Sequence, residues 1–186
     1  MGFSQNNKAF VDAQVSQKMA ELEMQQNPVY FYRMVYCQGD KQSFTMPGGI
    51  TCTSDSTYYA VYVFWKEDTD KFKMQKFDNC GSFIPFQVFF NKNTNRILED
   101  KNELKTEKFR LSNTSESLLV SSCYNNYKFV FEGQAFEKSY NGSKLLSEEN
   151  KTNLKHNNAL RLVKFENEMA QLIRSFEERG KFFREN

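Results

Sequence analysis

The sequence predicts an α+β domain: an N-terminal helix, an antiparallel meander sheet of about six or seven strands, and a long C-terminal amphipathic helix packed on the sheet. Three observations predict it. Apolar residues recur at helical spacing near both ends of the chain. Between them run segments rich in β-branched and aromatic residues, without a helical stripe. Gly, Pro, Asn and Asp punctuate those segments at short intervals, which favours sequential antiparallel pairing.

The first helix spans 7–26, where Val11, Val15, Met19 and Leu22 form one stripe; Asn27-Pro28 ends it, because a residue before proline is pushed out of the helical region. Residues 28–37, PVYFYRMVYC, read as a strand. Gln38-Gly39-Asp40 turns, Phe44 to Met46 extends, Pro47-Gly48-Gly49 breaks the chain again, and 50–53 makes a short strand. Residues 57–66 and 71–77 form a hairpin about EDTD. The run 83–90 is an edge or bulged strand, since Pro85 cannot donate to a ladder. NKNTN at 91–95 reads as a loop, and 96–104 as room for a short helical turn. Strands are expected at 106–112, 117–124 and 127–132, with Asn125-Asn126 as the turn between the last two and Asn141-Gly142 at the end of the sheet. The closing helix runs from 147 or 153 to 179, with Leu162, Phe165, Met169, Leu172, Ile173 and Phe176 on one stripe and Gly180 as its C-cap. No linker divides the chain, so 7–180 reads as one domain, with a start at 1–6 and a tail at 181–186. The order of elements resembles the cystatin-like and NTF2-like helix-on-curved-sheet folds, a likeness that transfers no function.

Met1-Gly2-Phe3-Ser4-Gln5 bears on compartment. Phe-Ser-Gln before a polar stretch resembles the end of a bacterial export signal, with Met1 as an added residue; the alternative is an intact cytoplasmic start. The expected location is periplasmic or secreted. Four cysteines, Cys37, Cys52, Cys80 and Cys123, agree with that through one or two disulfides. Three pairings are open; the expected one joins Cys37 to Cys52 and Cys80 to Cys123.

Chemistry is sparse. Lys and Arg total 25 against 23 Asp and Glu, which leaves no strong field for nucleic acid or anionic lipid. No apolar run approaches the ~18 residues of a membrane span. Hydrolase elbow, phosphate-loop and dinucleotide-binding patterns are missing, and no cofactor is implied. The cysteines lack zinc spacing. His156 sits among polar neighbours, Cys80 lies in a turn without a basic partner, and Glu67, Asp68 and Asp70 crowd a hairpin tip where Asp favours turn geometry. Lys71, Lys73 and Lys76 interleave with Phe72 and Phe77, but the neighbouring carboxylates cancel them.

The tyrosines carry more information. Tyr30, Tyr32, Met34 and Tyr36 share one face of the first strand, and Tyr58, Tyr62 and Phe64 share one face of the hairpin strand. Both faces of both strands are apolar, so helices, sheet curvature or a partner must cover the second face. The expected function is a non-catalytic binding or interaction module of an exported bacterial protein, using an aromatic sheet surface formed by Tyr30, Tyr32, Tyr36, Tyr58 and Tyr62. Its partner would be a protein or a small apolar or aromatic ligand. Two alternatives remain. One is a small enzyme with a polar site in the concavity of a curved sheet. The other is a structural subunit whose last helix or tail, Lys181 to Asn186, docks on a larger assembly.

Overall fold

The computed structural model describes residues 6–68, 71–112, 123–145 and 147–185. The predicted export remnant and most of the 117–124 strand lie outside them. Helix α1 is Lys8–Met24, capped by the Asn7 side chain, which accepts from Phe10 N–H. Strands follow at Val29–Cys37 (β1), Ser43–Thr45 (β2), Thr51–Thr53 (β3), Tyr59–Asp68 (β4), Lys71–Asp78 (β5), Gly81–Ser82 (β6) and Phe86–Val88 (β7). Helices Lys92–Glu99 (α2) and Lys101–Thr106 (α3) precede a hairpin of Cys123–Phe131 (β8) and Gln134–Tyr140 (β9). The chain closes with Gly142–Leu145 (α4), Leu154–Ala159 (α5) and Arg161–Glu178 (α6).

The α+β expectation holds. One seven-stranded antiparallel sheet runs β6-β5-β4-β1-β8-β9, with β7 also paired to β5, and β2-β3 forms a small ribbon of its own. Neighbours are mostly consecutive, but β1 sits in the middle, between β4 and β8. Pro85 falls between β6 and β7, which pair separate stretches of β5, so the edge is interrupted where no amide proton is available.

Strand alternation sorts the core into two layers. Phe31, Tyr62, Phe64, Phe72, Met74, Tyr127 and Phe129 pack with Leu162, Phe165, Met169 and Ile173 of α6. Phe31 is the hub: its ring lies 4.8 Å from that of Phe64 and 5.4 Å from that of Phe165, which meets it edge-on. On the opposite face Val11, Val15 and Leu22 of α1 pack with Tyr30, Met34, Val61, Val63, Trp65 and Phe77. Of the predicted stripes, Val11, Val15 and Leu22 on α1 and Leu162, Phe165, Met169 and Ile173 on α6 are buried, with Met19, Leu172 and Phe176 partly so.

Several local expectations fail. The Asn125-Asn126 turn does not exist; both residues lie inside β8, opposite Val35 and Met34. The hairpin turns at Glu132-Gly133, whose φ values of 50° and 78° suit a two-residue primed turn. Strand β9 was not expected at all. Residues 91–95 are not a loop: Asn91 accepts from Thr94 N–H and starts α2. Residues 107–112 are not a strand. Asparagine amides replace the ladder there: Arg110 N–H donates to Asn157, Arg110 O accepts from Asn150 and Asn157, and Ser112 N–H donates to Asn150. The closing helix is broken at Leu160, which is extended between α5 and α6. Finally, the tail does not leave the domain. Phe83 and Arg184 form an antiparallel bridge, and Phe182 packs into the α6-side core.

Two disulfides form, but neither expected pair is among them. Cys37 joins Cys123, and Cys52 joins Cys80. The register explains the first: Cys37 and Cys123 are direct partners across β1 and β8, whereas Cys52 lies in the separate ribbon. The second ties that ribbon to the turn after β5. Two disulfides suit a chain that folds in an oxidising compartment outside the cytoplasm.

Candidate functional site

The five singled-out tyrosines divide between the two faces of the sheet. Tyr36 pairs with Tyr59, Tyr32 with Val63 and Tyr30 with Trp65, while Tyr62 stands opposite Arg33. Tyr30, Tyr32 and Tyr36 therefore face the α1 side, and Tyr58 and Tyr62 belong to the α6 side. Sequence parity within each strand was read correctly. The register between strands, which decides which parities share a face, was not available to it.

Tyr58 and Tyr62 are engaged in the closed layer. Tyr58 donates to Asp78 Oδ2 at 3.1 Å and Tyr62 to Glu177 Oε1 at 3.0 Å. Burial, then the adjacent carboxylate charge, pushes both hydroxyl pKa values far up. Below them sits a cluster the sequence reading did not single out. Arg33 (7% exposed) and Glu166 (5%) are joined by Nε–Oε2 at 2.9 Å and Nη2–Oε1 at 2.5 Å, and Tyr127 (1%) donates to the same Oε2. Burial alone would lower the Arg33 pKa, but the hydrogen bonds and charge of Glu166 raise it instead. The available signal was a charge in each apolar pattern: Arg33 within a strand of aromatics, and Glu166 between Leu162 and Met169 on the α6 stripe. With its oxygens held by Arg33 and Tyr127, Glu166 is a fastening between sheet and helix.

The α1 side is different. Helix α1 packs along β4, β5 and β6. Lys18 lies 4.5 Å from the Trp65 ring centroid and extends the cover on that side. Toward β8 and β9 the sheet stays open, and a groove of about 580 Å³ runs beside the helix. Its floor is Tyr30, Tyr32, Met34, Val130 and Ala135; its rim includes Lys8, Asp12, Glu23 and Lys128. Burial, then Glu23, raises the Tyr30 pKa; burial, then Glu137 and Asp12, raises that of Tyr32. Both hydroxyls are thus neutral at ordinary pH. Tyr36 continues the row past the groove, stacked on Tyr124 at 5.2 Å and tilted on Tyr59 at 5.1 Å. A wall of neutral tyrosine and methionine with a charged rim can hold an apolar or aromatic group and offer hydroxyls to its polar end.

The remaining candidates resolve into local structure. Cys80 is disulfide-bonded. His156 Nε2 lies 3.3 Å from the Lys108 carbonyl. Glu67 pairs with Lys73 at 2.5 Å, Asp68 with Lys71 at 3.8 Å, and Lys76 with Glu177 at 3.7 Å. Among the described residues no three His, Cys, Asp or Glu side chains converge as a metal site, and no helix is long and apolar enough to cross a membrane. Compared with family models, curated proteins and solved structures, the chain shows no significant match.

Proposed function

We propose that this chain is a non-catalytic binding protein, periplasmic or secreted, that takes an apolar or aromatic group into the groove beside α1. The observation that carries the reading is the uneven cover of the sheet. The α6 face holds a cavity of about 290 Å³ at Phe72, Leu98 and Phe131, whereas the α1 face carries a tyrosine-floored groove of about 580 Å³, within the ~300–1,000 Å³ usual for ligand sites. Tyr32 is half-buried there, and Tyr30 is buried with its ring forming floor. Tyrosine gives large contact area with few rotors to freeze, which suits recognition over chemistry. The single Asp12–Lys8 pair at 2.6 Å on the rim adds polarity without an acid and base aimed at a common point.

The test is a titration of the isotope-labelled protein with small aromatic fragments and with short Tyr- or Trp-containing peptides, followed by NMR. Shifts should concentrate at Tyr30, Tyr32, Met34, Val130 and Ala135, and Tyr32→Ala should weaken them. Shifts that scatter over the surface, or that survive Tyr32→Ala unchanged, would reject the groove as the site. Location is tested separately by thiol labelling of protein taken directly from its native source: all four cysteines should be blocked before reduction, and free thiols would remove the exported reading.

A further inference from the structure

Residues 182–185 lie along the β6 edge as a bound peptide would. Ile84 N–H donates to Phe183 O at 2.8 Å, Glu185 N–H to Ser82 O at 3.0 Å, and Phe83 and Arg184 are bridge partners. This is strand addition to an open edge, supplied by the same chain. The side chains alternate as in such complexes. Phe182 points inward, its ring 5.6 Å from Phe86 and 6.0 Å from both Phe83 and Tyr62, with Lys76 Nζ 5.0 Å away. Phe183 points out and is 64% exposed. Glu185 reaches Ser82 Oγ and, at 3.3 Å, Gln75 Nε2.

The socket for Arg184 is built for a guanidinium. Its floor is Asp78, which is 0% exposed and takes both terminal nitrogens, Nη1 to Oδ1 at 3.0 Å and Nη2 to Oδ2 at 2.8 Å. Its walls are aromatic: the Phe83 ring lies 4.3 Å from the guanidinium carbon and the Phe44 ring 5.1 Å. The floor is fixed independently of the tail, since Cys80 N–H donates to Asp78 Oδ1 at 2.8 Å and Tyr58 donates to Oδ2. The Cys52–Cys80 disulfide pins the ribbon that carries Phe44 to the turn beside Asp78. A planar, forked, stacked cation fits such a site in a way that lysine does not.

We propose that this edge is an arginine-peptide recognition site, self-occupied by residues 182–185, and that an extended segment of the pattern aromatic–any–Arg–acidic from another protein chain binds it by displacing them. The site is remote from the tyrosine groove and stands or falls separately. The resident segment competes at an effective concentration on the order of millimolar, so the resting chain binds an outside segment weakly and a chain with a disabled tail binds it well.

The test is fluorescence anisotropy with a labelled Lys-Phe-Phe-Arg-Glu-Asn peptide and the full chain carrying Arg184→Ala. The expected result is binding at least about tenfold tighter than to the wild-type chain, and at least about tenfold tighter than that of the same peptide with its arginine replaced by alanine. Should Arg184→Ala fold poorly, Arg184→Lys retains a cation for Asp78 while weakening the resident ligand, and the two peptides must rank the same way on it. Equal affinity of the two peptides, or absence of binding to the folded variant, overturns the proposal.

Discussion

The two faces of the sheet are both aromatic, yet one is finished and the other is not. On the α6 side, phenylalanines interlock with a helix, and the buried Arg33 is held bidentately by Glu166. The Cys37–Cys123 disulfide staples the central strand pair at one end of β1 and β8. On the α1 side, tyrosines lie among aliphatic residues, and the helix packs most closely along β4, β5 and β6, leaving a groove toward β8 and β9. The difference teaches where each kind of change should register. The closed face holds stability, and the open face holds the groove proposed as a binding site.

The comparison breaks first, and most strongly, at the staple. Replacing Cys37 and Cys123 by serine frees a loop with a sequence separation of 86, which by chain entropy should cost about 4–5 kcal/mol in denaturant unfolding. A loss below that of the Cys52–Cys80 pair, separated by 28, would contradict the ordering. Next is Glu166→Ala, which strands Arg33 in the core and should cost about 3–5 kcal/mol, whereas replacing Arg33, Glu166 and Tyr127 together with Met, Leu and Phe should be close to neutral. If the single variant were as benign as the triple, the cluster would not be fastening helix to sheet.

Alkali gives a third contrast. Tyr58, Tyr62 and Tyr127 have pKa values raised chiefly by burial. Each therefore contributes stability that is complete below the unfolded tyrosine pKa and declines as pH rises through the native one, by about 1.4 kcal/mol per pH unit above pH ~10. Absorbance near the tyrosinate band should show these three ionising with unfolding, and Tyr30 and Tyr32 earlier, before the fold is lost. Simultaneous ionisation of all five would erase the distinction between the faces. The smallest effect belongs to Tyr32→Ala. It is half-buried at the groove, and its removal should cost no more than about 1 kcal/mol while altering ligand-induced shifts. A loss comparable to that of Glu166→Ala would mark Tyr32 as core.

The strongly periodic parts of the fold were legible. Val11, Val15 and Leu22, the 57–77 hairpin, and the Leu162 to Ile173 stripe all do what their spacing predicts. Illegible parts follow from physics the pattern does not encode. Strand β9, QAFEKSY, is an edge strand whose inward positions are Phe136, Lys138 and Tyr140, and with a lysine among them the apolar alternation does not stand out in the sequence. Asn125 and Asn126 have turn chemistry, but β1 supplies the ladder that holds them extended. Residues 107–112 join no sheet, and Asn150 and Asn157 take the place of a neighbouring strand. At the candidate site, the sequence places the tyrosines on their strands but does not group them, because a register of one residue decides which face Tyr62 joins. The Arg184 socket draws on Phe44, Tyr58, Asp78 and Phe83, which no local window contains.

The disulfides are nested, with Cys52–Cys80 inside the loop closed by Cys37–Cys123, and that has a consequence for biosynthesis. As the chain is made from its N-terminus, Cys37 and Cys52 emerge before either native partner, and the shortest loop available to an oxidase is the wrong one. Correct connection requires either that Cys37 stay unpaired until Cys123 lies beside it, or that an early mispairing be undone by thiolate exchange. The central strand pair is stapled by the last cysteine to appear. Recovery of the native protein should accordingly rise with isomerase capacity more than with oxidant strength.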